Sequence, residues 1–153
     1  MTFPEILKSL SDKLGIEITD EGGATAVEID GQSVLLCRAN DDLLFIQTDI
    51  GELASEGRKD ILTAAMVANF LYQGTGGSTL AFNPLDGHIH LQKYNWMERL
   101  DADTTLDMLS RFADTAVLWR KILADRKVAE KEPFPTGNGN LSPSIPPNGF
   151  IQV

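Results

Sequence analysis

The chain has very little cysteine and comparatively little positive charge. Cys37 is its one cysteine in 153 residues, so no disulfide can form within the chain. Thirteen lysine and arginine residues stand against 22 aspartate and glutamate residues, which gives a net charge of −9. Because an acidic surface is repelled by nucleic-acid phosphate and by anionic lipid, we expect neither nucleic acid nor a membrane as a partner.

Long apolar runs are also absent from the sequence. No run approaches the roughly 18 residues that a helix needs to cross a bilayer. The first residues, MTFPEILKSLSDKLG, contain no basic stretch followed by an apolar core, so we expect no secretory signal. Hydrophobic residues make up 42% of the chain, enough for a real core. These features predict a cytoplasmic globular domain.

Motifs for phosphate binding and nucleophilic catalysis are missing. The glycine-rich segment 74–77 lacks the lysine and hydroxyl residue of a phosphate-binding loop, and it leads from a helix into a strand, the reverse of the order such a loop needs. Cys37 lies mid-strand among apolar residues, which is typical of a small buried side chain. We therefore expect no cofactor and no enzymatic activity.

One pair of residues could bind a metal. His88 and His90 lie two apart on a predicted strand, so their side chains point to the same side, as in some zinc sites. Asp86, in the preceding turn, is the nearest further ligand. No third ligand is identifiable with this certainty in the sequence, and a solvent-exposed strand edge explains the pattern more simply. We therefore predict no metal and keep a metal-dependent hydrolase as an alternative.

The periodicity predicts an α+β fold with the order α-β-β-β-α-β-β-α and a twisted, mainly antiparallel sheet packed by helices. Thr2 and Glu5 form a capping box for a first helix that Gly15 ends. Asp30-Gly31 predicts a tight hairpin. Asp103 is the predicted cap of the last helix. Strands are predicted at residues 25–30, 33–39, 43–50, 79–82 and 88–94, and a second helix at 58–73.

Two segments have more apolar surface than one small domain can bury. The second and third strands carry apolar side chains on both faces, so either helices cover both faces or one face binds a partner. The helix at 58–73 is apolar almost all the way round, which predicts burial on most sides. We therefore predict a subunit interface on this helix and a homodimer.

The C-terminal part of the sequence differs in composition. Five of the seven prolines lie after residue 129, together with several glycines. A segment of this kind buries too little apolar surface to become ordered. The sequence thus predicts one domain at 1–128 and a flexible tail at 129–153.

Several short motifs accompany the predicted order of elements. They are Ala68-Asn69-Phe70-Leu71, Thr75-Gly76-Gly77, Leu80, Asn83-Pro84, Asp86-Gly87 and Leu100-Asp101. Together with the order of elements, these motifs resemble the class I chaperones of bacterial type III secretion systems, the family that includes the chaperone of the translocated intimin receptor. The resemblance covers residues 3–127. It departs from the family at Asn95-Trp96-Met97, where a leucine–proline pair is common.

The resemblance implies a cytoplasmic homodimer that binds the N-terminal segments of effectors and keeps them export-competent. It leaves open whether the secretion-system ATPase is also a partner. The alternative is an acidic adaptor or anti-regulator that sequesters a folded cytosolic protein. The predicted partner-binding residues are Phe3, Ile6, Leu10, Val34, Leu36, Leu43 and Phe45. The predicted dimer-interface residues are Val67, Phe70, Leu71, Leu80 and Phe82.

Overall fold

A computed structural model describes residues 1–125 of the chain. The order of elements agrees with the α+β prediction, and short 3₁₀ turns follow the second helix at Phe70–Tyr72 and the last strand at Met97–Arg99. The predicted tail lies outside the described residues. The helices are α1 (Phe3–Leu14), α2 (Arg58–Asn69) and α3 (Ala102–Ala124), and the strands are β1 (Ala24–Ile29), β2 (Gln32–Arg38), β3 (Leu43–Glu52), β4 (Thr79–Asn83) and β5 (His88–Trp96).

The five strands form one antiparallel sheet in the order β1-β2-β3-β5-β4. Helix α3 packs on β1, β2 and β3 and also contacts α1, so these two helices cover one face, and α2 lies beside the edge strand β4. The covered face is the core of the fold. Its fully buried side chains include Phe3, Ile6, Leu10, Val34, Leu36, Leu44, Ile46, Leu91 and Leu109.

Helix α3 is fixed to β3 at an irregularity in the sheet. The pairing of β3 with β5 shifts by one residue between Asp49 and Gly51. A bulge of this kind leaves main-chain groups unpaired. Arg120 supplies the missing donors, because its Nε lies 2.9 Å from the Asp49 carbonyl and its Nη2 lies 2.9 Å from Thr48 Oγ1. The contact sets the position of α3 along the strand.

The ends of α1 and α3 are set by local residues. The main-chain N–H of Thr2 donates to Glu5 at 2.7 Å, and Gly15 ends α1 with φ of 67°. Helix α3 starts at Asp101, whose carboxylate accepts from the Thr104 N–H at 2.8 Å. The prediction of Asp103 as the cap is wrong, because that residue is already in the first turn and pairs with Lys13 instead.

Helix α2 is shorter than predicted. It ends at Asn69, and Leu71 and Tyr72 adopt left-handed conformations with φ of 53° and 56°. The turn brings Gly74 back onto the helix, where its N–H donates to the Ala68 carbonyl at 3.2 Å. Only glycine fits at position 74, since an added Cβ would lie 2.6 Å from the Cβ of Ala68.

Candidate protein-binding surfaces

The two histidines of the β4–β5 hairpin bind different carboxylates. His88 Nδ1 lies 2.8 Å from Asp49, and His90 Nε2 lies 3.1 Å from Asp86. The second carboxylate also accepts from Asn83 at 2.7 Å, which stiffens the turn. Within residues 1–125, no group of three or more His, Cys, Asp and Glu side chains is placed to hold a metal ion. The contacts of the two histidines therefore hold the β4–β5 turn in place.

The open sheet face is the side of the sheet opposite α1 and α3. The register places Cys37 opposite Phe45, Phe45 opposite Tyr94, and Leu43 opposite Trp96. The rings of Phe45 and Tyr94 stack at a tilt with centroids 4.8 Å apart. Tyr94 is 61% exposed and Trp96 is 49% exposed. This gives a continuous apolar and aromatic strip across three strands, made of Leu35, Cys37, Leu43, Phe45, Tyr94 and Trp96.

The predicted partner-binding residues divide between the two faces of the sheet. Leu43 and Phe45 lie on the open sheet face and are partly exposed. The other five lie in the core, with exposures of 0 to 1%. They are not accessible to a partner in this fold, which corrects the expectation for them. The five are Phe3, Ile6, Leu10, Val34 and Leu36.

The thiol of Cys37 lies on the open sheet face and is partly buried. Burial raises the pKa of Cys37, so the thiol stays protonated at neutral pH. A protonated thiol is a poor nucleophile. Cys37 therefore contributes apolar surface to this face, and it is less buried than the sequence predicted.

The α2 patch is a second exposed apolar surface. It consists of consecutive or near-consecutive side chains around the end of α2, each more than half exposed: Met66, Val67, Phe70, Leu71 and Tyr72. The opposite side of α2 is buried through Ile61, Ala65 and Ala68. In the single chain α2 is thus buried on one side only, and its predicted burial on most sides stays a prediction. Contiguous exposed apolar surface of this kind is typical of a protein–protein interface.

A shallow groove of about 160 Å³ runs between α2 and β4 next to the α2 patch. Phe82 borders it at 38% exposure, with the Arg58 guanidinium 5.6 Å from its ring centroid. Leu80, predicted as an interface residue, is only 6% exposed and forms the floor of the groove. Val67, Phe70 and Leu71 lie on the patch itself.

The side chain of Asn69 joins α2 to the free edge of β4. Its Oδ1 accepts from the Leu80 N–H at 2.9 Å, and its Nδ2 donates to the Leu80 carbonyl at 3.0 Å. Leu80 therefore points its main-chain groups away from β5. The amide occupies the position that a neighbouring strand would otherwise take at this residue.

Several residues of these surfaces escaped the sequence prediction. Tyr94 and Trp96 belong to the open sheet face, although neither was among the predicted partner-binding residues. Trp119 is 5% exposed and lies in the core. The alternation along β5 could have indicated Tyr94 and Trp96, because it places them on the face opposite the buried Leu91.

An α+β domain with two exposed apolar surfaces is typical of a protein that binds other chains. None of the helices within residues 1–125 has the length and apolar character needed to cross a bilayer. The sequence matches the Tir chaperone protein (CesT) family over residues 5–120. The chain therefore belongs to this family of chaperones, which confirms the resemblance found in the sequence.

Solved structures with the same fold include chaperones of type III secretion. The HopA1–SchA chaperone–effector complex gives a TM-score of 0.63 at 16% identity, over 78% of this chain and 93% of that one. The ExsC–ExsE complex gives a TM-score of 0.63 at 21% identity, over 77% of this chain and 90% of that one. The heterodimeric ExoU–SpcU complex from the type III secretion system of Pseudomonas aeruginosa gives 0.62 at 15%, over 79% and 96%. No curated protein matches the sequence. At identities this low, the structural similarity establishes a common fold and no more.

Proposed function

We propose that this chain is a type III secretion chaperone that binds the N-terminal segments of effector proteins in the bacterial cytoplasm and keeps them export-competent. The observation that carries the proposal is the presence of two separate exposed apolar surfaces on one small domain. One surface can join two copies of the chain while the other binds a client. Membership of the Tir chaperone family supports this assignment.

The α2 patch is the surface that joins two copies. Phe70 and Leu71 are 71% and 67% exposed, and the strained conformation of Leu71 directs this turn away from the core. Strain of this kind persists where surrounding contacts hold it. A second copy packed on the patch would supply further contacts and remove both side chains from water. Phe82 and the groove beside it extend the same surface.

The open sheet face is the surface that binds the client. Its strip of apolar and aromatic side chains runs across β2, β3 and β5, and is long enough to meet several residues of an extended or helical segment. Leu43 and Phe45, which the sequence suggested as partner-binding residues, belong to the strip, and Tyr94 and Trp96 complete it. Aromatic side chains of this type are the usual anchors of protein interfaces. The chaperone acts by binding, with no catalytic step, and contact with the secretion ATPase stays a prediction.

Capture of client fragments tests the proposal. The purified full chain is immobilised and offered candidate secreted proteins from the same genome, both as isolated N-terminal fragments and as folded proteins without that segment. A chaperone retains the fragments and protects one stretch of them from protease. Retention of folded proteins only would contradict the proposal and favour the adaptor.

A further inference from the structure

A pocket of about 340 Å³ lies where β5 runs on past β4. It is lined by Tyr72, Gly77, Thr79, Gln92, Lys93 and Tyr94. Its volume falls at the lower end of the range for ligand sites, roughly 300 to 1,000 Å³. Tyr94 belongs to the open sheet face and Tyr72 to the α2 patch, so the pocket lies between the two surfaces.

The pocket offers one cation and several hydrogen-bond donors. Lys93 offers an ammonium group, Gln92 an amide, and Thr79 a hydroxyl, and no carboxylate lines the pocket. Lys93 is partly buried, and none of the carboxylates of residues 1–125 forms an ion pair with it. Lys13 and Arg111, by contrast, each have an aspartate partner. An unpaired cation with neutral donors beside it suits a carboxylate, the negatively charged group that protein side chains supply.

Gly77 keeps the approach to this ammonium group open. Its φ of 81° favours glycine, and a Cβ at this position would lie 3.4 Å from Lys93 Nζ. A side chain here would therefore narrow the space beside the cation. The lack of one leaves room for a group from another molecule.

The backbone next to the pocket is placed to bind an extended chain. Thr79 is the first residue of β4 and pairs with Gln92, so β5 has no β4 partner beyond that point. Leu80 points its main-chain groups away from β5, so its neighbour Thr79 and the paired Gln92 point their main-chain groups toward each other. Tyr94 and Trp96 lie two and four residues after Gln92 and point their main-chain groups to the same side. That side of β5 is not paired with β4, which begins at Thr79.

We propose that this pocket binds an acidic side chain of the client, held in an extended segment that pairs with β5 at Tyr94 and Trp96. The inference rests on the proposed chaperone function and names a chemical feature of the segment that is bound. Residues 1–125 carry a net negative charge, with 20 acidic against 10 basic residues, and therefore repel acidic peptides overall. The Lys93 pocket is a position where a carboxylate is attracted, so it fixes the register of the segment.

Two blocked pentapeptides of the same β-branched sequence, one with a central glutamate and one with glutamine, test this pocket on the full chain. Binding is followed through the amide resonances of Thr79, Gln92 and Tyr94. We expect the glutamate peptide to bind about three- to fivefold more tightly at low salt, the effect of one partly screened ion pair. The preference should shrink in 0.5 M salt, where charges are screened beyond roughly 4 Å.

Variants locate the preference. Lys93→Met keeps the aliphatic stem and should bind both peptides equally. Lys93→Arg keeps the charge and should keep the preference for the glutamate peptide. Lys8→Met, at an exposed position on α1, is the control and should leave that preference unchanged. Equal binding of the two peptides to the native chain, or a preference that survives Lys93→Met, would overturn the proposal. The proposal would also be overturned if acetate alone shifted the same amide resonances and the peptides caused no further shift, since the pocket would then hold free anions.

A client fragment separates this inference from the proposed function. If a captured fragment binds Lys93→Met as tightly as the native chain, the pocket is not a client site while the chaperone function stands. If the native chain captures no fragment, the chaperone function fails independently of the peptide result. A Lys93→Met chain that loses its dimer mass would assign the pocket to the second copy and overturn the proposal.

Discussion

The indole Nε1 of Trp119 donates to the main-chain carbonyl of Gly74 at 2.9 Å. The two residues are 45 positions apart in sequence, and the bond joins the last turns of α3 to the loop after α2. The Gly74 N–H in turn donates to Ala68. One hydrogen-bonded connection thus holds the turn that presents Phe70 and Leu71.

Trp119→Phe should lower the free energy of unfolding by about 2 kcal/mol. The variant leaves the Gly74 carbonyl without its donor and replaces the buried ring by a smaller one, and each effect costs about 1 kcal/mol or more. Trp96→Phe, at a half-exposed position, should cost much less. Urea denaturation at one fixed protein concentration measures both values. Equal losses for the two variants would contradict this account.

Phe70→Asp should give a folded monomer. The side chain is 71% exposed in the single chain, so the carboxylate remains solvated there, but it would be buried and unpaired between two copies. Light scattering should show half the mass of the native chain with an unchanged circular dichroism spectrum. Leu85→Asp is the matched control, because Leu85 is 95% exposed at the β4–β5 turn and should leave the mass unchanged. A native chain that is already monomeric at micromolar concentration would contradict the proposed homodimer.

Tyr94→Asp should abolish capture of client fragments while the native mass is kept. The substitution places a charge on the open sheet face beside Phe45, where it would be desolvated by a bound segment. Val117→Asp introduces the same charge at an exposed apolar position on α3 and should leave capture unchanged. Isothermal titration with one protected fragment gives the comparison. Unchanged affinity in the Tyr94 variant would show that the client binds elsewhere.

Asp101→Ala should destabilise the fold in a pH-dependent manner. The pKa of Asp101 is lowered from 3.8, first because the Thr104 N–H donates to its carboxylate and then because the Thr104 hydroxyl does. A lowered pKa means that this stabilisation is present above 3.8 and is lost as the pH falls through the value in the folded chain. The difference between native and variant should therefore disappear in acid.

Denaturation curves at pH 7 and pH 2.5 measure this difference. Asp101→Asn keeps an acceptor for the Thr104 N–H and should lose little stability at either pH. Asp103→Ala removes only a surface ion pair with Lys13 and should have a small effect. A larger loss of unfolding free energy for Asp103→Ala than for Asp101→Ala would contradict Asp101 as the cap of α3.

The order of elements could be predicted because the signals for it are local. The Thr2–Glu5 pair, Gly15, and the hairpin at Asp30 and Gly31 all depend on residues within a few positions of each other, and the structure contains all three. Asp30 and Gly31 have φ of 49° and 73°, as a tight hairpin of the predicted type requires.

The faces of the strands could not be predicted from their sequences. Val34 and Leu36 alternate with Leu35 and Cys37, and both pairs are apolar. Which pair is buried depends on where α1 and α3 pack and on the register that places Leu36 opposite Ile46. The sequence therefore predicted a client surface that combined residues from both sides of the sheet.

The end of α2 was unpredictable for a similar reason. Nothing in the residues from Asn69 to Tyr72 forbids another helical turn, since all are compatible with a helix. The left-handed conformation of Leu71 depends on the approach of Gly74 to Ala68 and on the bond from Trp119. Such long-range contacts have no signature in a short window of sequence.

The amide of Asn69 also limits how this protein can polymerise. A free edge strand is a template on which further chains can add and grow into a fibril. A second chain cannot form a regular ladder along β4 at Leu80 unless Asn69 first releases both main-chain groups. A domain with two exposed apolar surfaces thereby has one edge along which sheet growth is interrupted.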